Sequence, residues 1–415
     1  MDENITLDML QSAGVGALAL VFGMFMTRNI SWLQKFCIPS PVSGGVVFSI
    51  ATLVLYLAFG IEVTFDGTLK DAFMLAFFTS VGFQSNLKVL HRGGRALVIM
   101  LVLLVVIITM QNVIPLAVAK CYGASPLIGM AAGSISMAGG HGTAGGFSSV
   151  LEDMGLHGAG TVSMAAATFG LIAGSVIGGP VAERLIRKHL TSEHLEPKDY
   201  DIDPAMIGIE SEESLPAGHA NHISNNEHEF HQYASATYSL LIVMAVGTIA
   251  SKLLSYTGIT FPTYFGALMM AAVVRNVAEH TPLGKHLEID KIVSVGNISL
   301  SVFLGMAMVS LKLWKLQSLA LPLLSMLAMQ VVAMILFTYF VAFRLLGRDY
   351  DAAVLVAGIC GFGLGATPNA MANMSAVCYK YHYSVKPFLI VPIIGAMFVD
   401  LINTGIITVF LNWIG

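Results

Sequence analysis

Charge is what this chain has least of. Only 11% of its 415 residues are Asp, Glu, Lys or Arg, where a soluble globular protein carries about 25%. That shortage excludes a water-soluble fold. A basic excess is missing as well: the formal net charge is -4, and without a basic face nucleic acid is not an expected partner. Paired cysteines are absent, because Cys37, Cys121, Cys360 and Cys378 stand far apart with no CxxC and no ligand-like spacing to histidine. Zinc and iron–sulfur sites are therefore not expected. The first ten residues hold Asp2, Glu3 and Asp8 but no Lys or Arg. Lacking the basic n-region of a cleaved signal peptide, the first apolar segment is expected to stay in the mature protein.

What is there is apolar, at 56% of the residues and a mean hydropathy of +0.77. The apolar residues fall in runs long enough to cross a bilayer as helices, which takes roughly 17 to 25 residues. A membrane β-barrel is excluded, since the run from Ala96 to Met110 shows no in/out alternation. Candidate spans lie near 11–27, 41–60, 72–87, 96–119 and 161–183, then near 236–253, 261–278, 292–311, 319–343 and 387–412. Two further segments, about 126–150 and 352–378, are apolar but rich in Gly, Ser, Thr and Asn.

Short cytoplasmic loops collect Lys and Arg, which tests whether these two segments cross fully. If both enter and leave on one side, with the termini outside, 16 of the 21 basic residues fall inside and only Lys70, Lys120, Lys252, Lys312 and Lys315 outside. If both cross, the split is 10 to 11 and the bias vanishes. The re-entrant arrangement is therefore expected. Each half then has five spans and one re-entrant segment, and an odd span count turns the second half upside down. An offset of 224 supports the repeat, placing Leu87-Lys88 on Leu311-Lys312, Gly139 on Gly363 and Thr143 on Thr367. Inverted repeats with interrupted segments at matching positions mark secondary transporters.

The expected fold is thus an all-α polytopic membrane protein of two inverted-topology repeats, about ten full spans in all. Residues 1–188 form the first repeat, 189–235 a flexible cytoplasmic loop, and 236–415 the second repeat. The loop carries ten acidic residues between Glu193 and Glu229 and six histidines from His189 to His231, a composition that cannot bury a core.

Six glycines among the fourteen residues from Gly133 to Gly146 would destabilise a helix by about 1 kcal/mol each. A broken helix is expected instead, tolerated at membrane depth where protein or ligand surrounds it. Its exposed amide groups suit an anion. Ser136, Gly139, Gly140, His141, Gly142 and Thr143 are the candidate substrate groups here. In the mirror segment Pro368 disfavours helix at Thr367, and Gly363, Gly365, Thr367, Asn369 and Asn373 are the candidates. Asp400, inside the last span beside Asn403 and Thr404, is a functional candidate because an acid at that depth is costly. With no basic residue deep in another span, its partner is expected to come from outside, as Na⁺, an ammonium or a proton. Asp400, Asn403 and Thr367 are the candidate sodium ligands.

Five motifs in order, MAGGHGTAGGF (Met137 to Phe147), GNISLSVFLGMAM (Gly296 to Met308), RDYDAAVLVAG (Arg348 to Gly358), GFGLGATPNAMANM (Gly361 to Met374) and FVDLIN (Phe398 to Asn403), resemble the bacterial sodium/glutamate symporters of the GltS family. The resemblance covers nearly the whole chain outside the central loop. It implies a Na⁺-coupled carrier of L-glutamate in the lipid of the cytoplasmic (inner) membrane, a homodimer, and an elevator-like motion. Asp400 then belongs to the cation side, and with no deep Arg to clamp a carboxylate the anion falls to backbone N–H groups and sodium. The rival reading is a carrier of another small anion, a dicarboxylate or another amino acid, driven by Na⁺ or by H⁺ with His141 or Asp400 as relay. A channel is a further alternative. An enzyme is not expected, since no nucleophile–base or metal constellation is present.

Overall fold

Each apolar run forms a helix, and the Gly-rich segments form helices with a break. In chain order the first half gives α1 (Met9–Asn29), α2 (Ser31–Lys35), α3 (Ser40–Phe59), α4 (Thr68–Gln84), α5 (Gly94–Cys121), α6 (Pro126–Ala132), α7 (Gly140–Asp153) and α8 (Ala159–His189). The second half gives α9 (His222–Ser255), α10 (Phe265–Ala278), α11 (Ile289–Val309), α12 (Ala320–Leu345), α13 (Tyr350–Leu364), α14 (Thr367–Lys380) and α15 (Val385–Ile414). The computed structural model describes residues 4–36, 38–85, 94–190, 222–256, 262, 264–281, 287–314 and 319–414. Asn86, Lys88, Lys315 and most of the expected central loop lie outside the described residues, while α9 extends from the expected span into residues assigned to that loop.

Eight of these helices are long and apolar enough to cross a membrane, so the chain is a polytopic helical membrane protein. The other two expected spans are short, 17 residues in α4 and 14 in α10. At 1.5 Å per residue α10 is about 21 Å long, less than the ~30 Å hydrocarbon core.

Local chemistry fixes the ends. Asp8 caps α1 through a capping box, its carboxylate accepting from Gln11 N at 2.8 Å while the Gln11 side chain accepts from Asp8 N at 3.0 Å. Gly60, at φ 69°, ends α3. A short parallel pair, β1 (Asn4–Leu7) with β2 (Glu62–Phe65), ties the chain start to the α3–α4 connection. Nearby, Lys312 pairs with Glu62 at 2.5 Å.

The helices sort into two bundles. One is built from α1, α3, α4, α9, α10 and α11, the other from α5 to α8 and α12 to α15. Contacts between them include α11 on α7, and α4 on the π turn of α15 (Ile394–Phe398). Small residues bring backbones together inside each bundle. In the first, a Cβ on Gly44 would lie 1.8 Å from the Ala19 carbonyl oxygen. In the second, Gly170, Gly174 and Gly178 repeat every fourth residue along α8, facing Leu364, Cys360 and Asn373 respectively. The two ends of the α13–α14 hairpin also meet: the Tyr350 hydroxyl donates to His382 O at 2.6 Å and Ser384 Oγ to Asp351 Oδ1 at 2.5 Å.

Candidate functional site

The first break is a run of turns over residues 133–139 between α6 and α7. Irregular backbone buried inside the protein needs hydrogen-bond partners from side chains, and amides supply them. Asn112 Oδ1 accepts from Ser134 N and Oγ at 3.2 and 3.0 Å, Gln330 Nε2 donates to Ala132 O at 2.8 Å, and Asn403 Nδ2 donates to Ser134 O at 3.0 Å. Ser136 Oγ sits between the Ala131 and Ser163 carbonyls at 2.5 and 2.8 Å, with one proton to share between them.

The second break is shorter, at Gly365–Ala366 between α13 and α14. Pro368 occupies the first turn of α14, where its missing N–H costs no intrahelical bond. Gly363 therefore lies inside α13, two residues before the break, with its carbonyl accepting from Gln111 Nε2. The offset that pairs Gly139 with Gly363 misses the break for that reason. Asn369 Nδ2 donates to Leu171 O and Ser175 Oγ at 2.8 and 2.6 Å, and Asn373 Nδ2 to Gly174 O and Ala357 O at 2.9 and 3.3 Å. Both amides thus hold α14 on α8.

The two breaks touch, since a Cβ on Gly140 would lie 3.1 Å from the Gly365 carbonyl oxygen. Gly140 has φ 58°, the left-handed region, which glycine enters without steric cost. Neither α7 nor α14 has a side-chain cap, which leaves first-turn N–H groups of α7 to a ligand, and in α14 the Thr367 N–H, since Pro368 has none and Asn369 N donates to Ala366 O at 3.0 Å.

Both helix starts open on one cavity of about 290 Å³ between the bundles. The second bundle lines it with Gly139 to Gly142, Gly365 to Pro368, and Asp400. The first bundle presents Phe77, Val81, Leu300 and Leu304, interrupted by the amides Gln84 and Asn297. The polar backbone and Asp400 lie on the second bundle's side, among Leu171, Phe362 and Val399, while the first bundle's side is largely hydrocarbon. His141 and Asp400 are the lining residues with titratable side chains. His141 Nε2 lies 3.0 Å from Thr168 Oγ1, whose hydroxyl also reaches Met164 O at 2.9 Å. Asp400 is the second residue after the π turn (Ile394–Phe398), a helix irregularity frequent at functional sites. Its Oδ1 accepts from Thr143 Oγ1 at 3.3 Å, and no ion pair involves it among the described residues.

Of the expected site residues, Gly139, Gly140, His141, Gly142, Gly365, Thr367 and Asp400 line the cavity, with Thr143 joined through Asp400. Ser136, Gly363, Asn369, Asn373 and Asn403 stand behind that lining and fasten the breaks. Gln84, Asn297, Phe77 and Leu300 also line the cavity, and neither they nor Tyr264 are among the site residues expected from the sequence. Tyr264 is fully buried, stacked on Phe78 with ring centroids 3.7 Å apart. The available signal for it was a tyrosine beside Pro262 at the head of a short span.

A family model described as sodium/glutamate symporter matches residues 5–383. The protein named sodium/glutamate symporter in Escherichia coli K12 is 40% identical over 98% of both chains, and the one of that name in Haemophilus influenzae is 36% identical over 98% of both. Two broken helices meeting at one cavity, and likeness along almost the full length, have one reading: this chain belongs to the sodium/glutamate symporter family.

Proposed function

We propose that this chain carries glutamate together with sodium across the bacterial cytoplasmic membrane by alternating access. The observation that carries the reading is the meeting of two uncapped helix starts, at Gly140 and Thr367, on one cavity that also holds Asp400. Glutamate brings two carboxylates and one ammonium. Among the described residues the cavity is lined by no Arg or Lys, so backbone N–H groups of the two helix starts bind carboxylate, aided by their dipoles. Asp400 serves the cation side, with Asn403 and Thr367 as neutral oxygen donors. Ser136, Gly363, Asn369 and Asn373 set the shape of the tips from behind.

The architecture proposed with it is two inverted repeats, residues 1–188 and 236–415, joined by a cytoplasmic loop at 189–235. Each repeat has five spans and one re-entrant hairpin, and the termini lie outside. Reciprocal contacts support the repeat: Gln111 of the first half holds Gly363 of the second, and Gln330 of the second holds Ala132 of the first. The adjoining ends of α13 and α14 support re-entry. The basic-residue count supports the orientation, and pairing with Glu62 answers for Lys312 on the outer side. In the elevator motion the bundle of broken helices moves against the α1–α3–α4–α9–α10–α11 bundle, whose apolar wall slides past the tips. The homodimer rests on the family resemblance.

Uptake of labelled glutamate into proteoliposomes with and without a Na⁺ gradient tests the function. Strong uptake with the gradient and little with choline in its place is expected, with Asp400→Asn needing far more Na⁺ for half-maximal rate. Equal uptake without Na⁺, or preference for another anion, overturns the proposal.

A further inference from the structure

Beside Asp400, three fully buried oxygen atoms have no hydrogen-bond partner: Asn403 Oδ1, Thr404 Oγ1 and the Tyr264 hydroxyl. Buried polar atoms are normally paired, and a group of unpaired oxygens around one carboxylate is a place for a ligand to supply the missing partner. These three are not scattered. Thr404 lies one helical turn after Asp400 on α15 and shares its face. Its hydroxyl faces that of Tyr264 closely enough for a weak hydrogen bond but not one of good geometry, and Tyr264 lies within electrostatic reach of Asp400. Thr143, fully buried, donates to Asp400 and keeps lone pairs of its own. Asn403 abuts Gly139, where a Cβ would lie 2.7 Å from its Nδ2.

The chemistry of this set is narrow. It holds one carboxylate, three hydroxyls and one amide oxygen, with no nitrogen or sulfur donor among them. Hard oxygen donors select a hard cation over a transition metal, and a single carboxylate balances a single positive charge. No group of three His, Cys, Asp or Glu that could hold a metal occurs among the described residues.

Tyr264 differs from the others in origin. It precedes α10 and stacks on Phe78 of α4, both in the first bundle. Its ring reaches across to α7, where a Cβ on Gly146 would lie 2.5 Å from it. The remaining four residues belong to the second bundle. We infer that Asp400, Asn403, Thr404, Thr143 and Tyr264 form a sodium site, and that Tyr264 makes its affinity depend on where the two bundles stand relative to each other. The site rests on the sodium-coupled reading above but replaces Thr367, whose Oγ1 packs against Gly395, with Thr404 and Tyr264. Sodium then binds most tightly in this arrangement and more weakly once the moving bundle leaves Tyr264 behind.

The test reads sodium binding apart from transport. Purified protein is titrated with NaCl at constant ionic strength, without glutamate, and its thermal stability is followed, since an ion that binds the folded state raises the melting temperature. Tyr264→Phe keeps the stacked ring and loses the hydroxyl; Thr404→Val keeps the shape and loses the hydroxyl; Thr404→Ser restores it. Tyr264→Phe and Thr404→Val are expected to need on the order of tenfold more Na⁺ for half the stabilisation, and Thr404→Ser to behave as the parent chain. Both variants responding at the parent's concentration overturns the site while leaving symport intact. A parent chain that Na⁺ neither stabilises nor energises overturns the sodium-coupled reading itself.

Discussion

Gly140 is the residue on which the contact between the breaks depends. Its φ of 58° would strain an L side chain by about 1–2 kcal/mol, and a methyl group there would press on the Gly365 carbonyl oxygen 3.1 Å away. Gly140→Ala is therefore expected to lower the initial rate of Na⁺-driven glutamate uptake at least tenfold, roughly the rate change for 1.4 kcal/mol, while insertion and yield hold. Gly14→Ala is the control, because a Cβ at Gly14 meets nothing within 4 Å; its uptake is expected to match the parent. Equal rates for the two variants would show that the tips tolerate separation. At this scale the sequence revealed residues whose chemistry is out of place in hydrocarbon: the acid at Asp400 and the glycine run around Gly140. It concealed residues whose role comes from what lies across the cavity. Phe77 and Leu300 read as ordinary lipid-compatible side chains, and only the packing of α4 against α11 turns them into a wall.

Among the elements, helix positions were legible because hydrophobic run length and charged boundaries are local properties. The expected spans near 41–60 and 292–311 correspond to α3 (Ser40–Phe59) and α11 (Ile289–Val309). The breaks were legible in existence but not in register. Seven residues form the first break and two the second, so no single offset superimposes both. The face of α14 that carries Asn369 and Asn373 was legible from their spacing of four, but not its neighbour, which is α8. That placement makes a prediction about the element. Asn373 holds α14 to the Gly174 carbonyl at 2.9 Å, and hydrogen bonds between membrane helices average about 0.6 kcal/mol, reaching about 1.7. Asn373→Ala is expected to lower the melting temperature of the detergent-solubilised protein and to leave the KM for glutamate within about twofold, since a loss of that size is spent on packing rather than on ligand contact. An unchanged melting temperature with a large rise in KM would return Asn373 to the ligand set.

For the whole molecule the decisive feature is the division into two bundles, which the sequence could not disclose because it arises from how spans of both halves combine. α1, α3 and α4 join α9, α10 and α11, so neither bundle is a continuous stretch of chain. The cavity lies on the seam between bundles, and few hydrogen bonds cross that seam. One that does is the Lys312 backbone N–H, donating to Thr161 Oγ1 at 3.1 Å; Lys312 follows α11 of the first bundle and Thr161 lies in α8 of the second. If alternating access is a displacement of one bundle against the other, tying these two positions must stop it. In a chain whose Cys37, Cys121, Cys360 and Cys378 have been replaced by serine or alanine, Thr161→Cys with Lys312→Cys is expected to cross-link under mild oxidation and to lose glutamate uptake. Reduction is expected to restore the uptake, and the cross-linked protein to keep its Na⁺-induced thermal stabilisation, because the tie holds the bundles in the arrangement that places Tyr264 beside Asp400. Uptake that persists in fully cross-linked protein would mean that substrate crosses without this displacement, and the seam would then be a fixed interface rather than a sliding one.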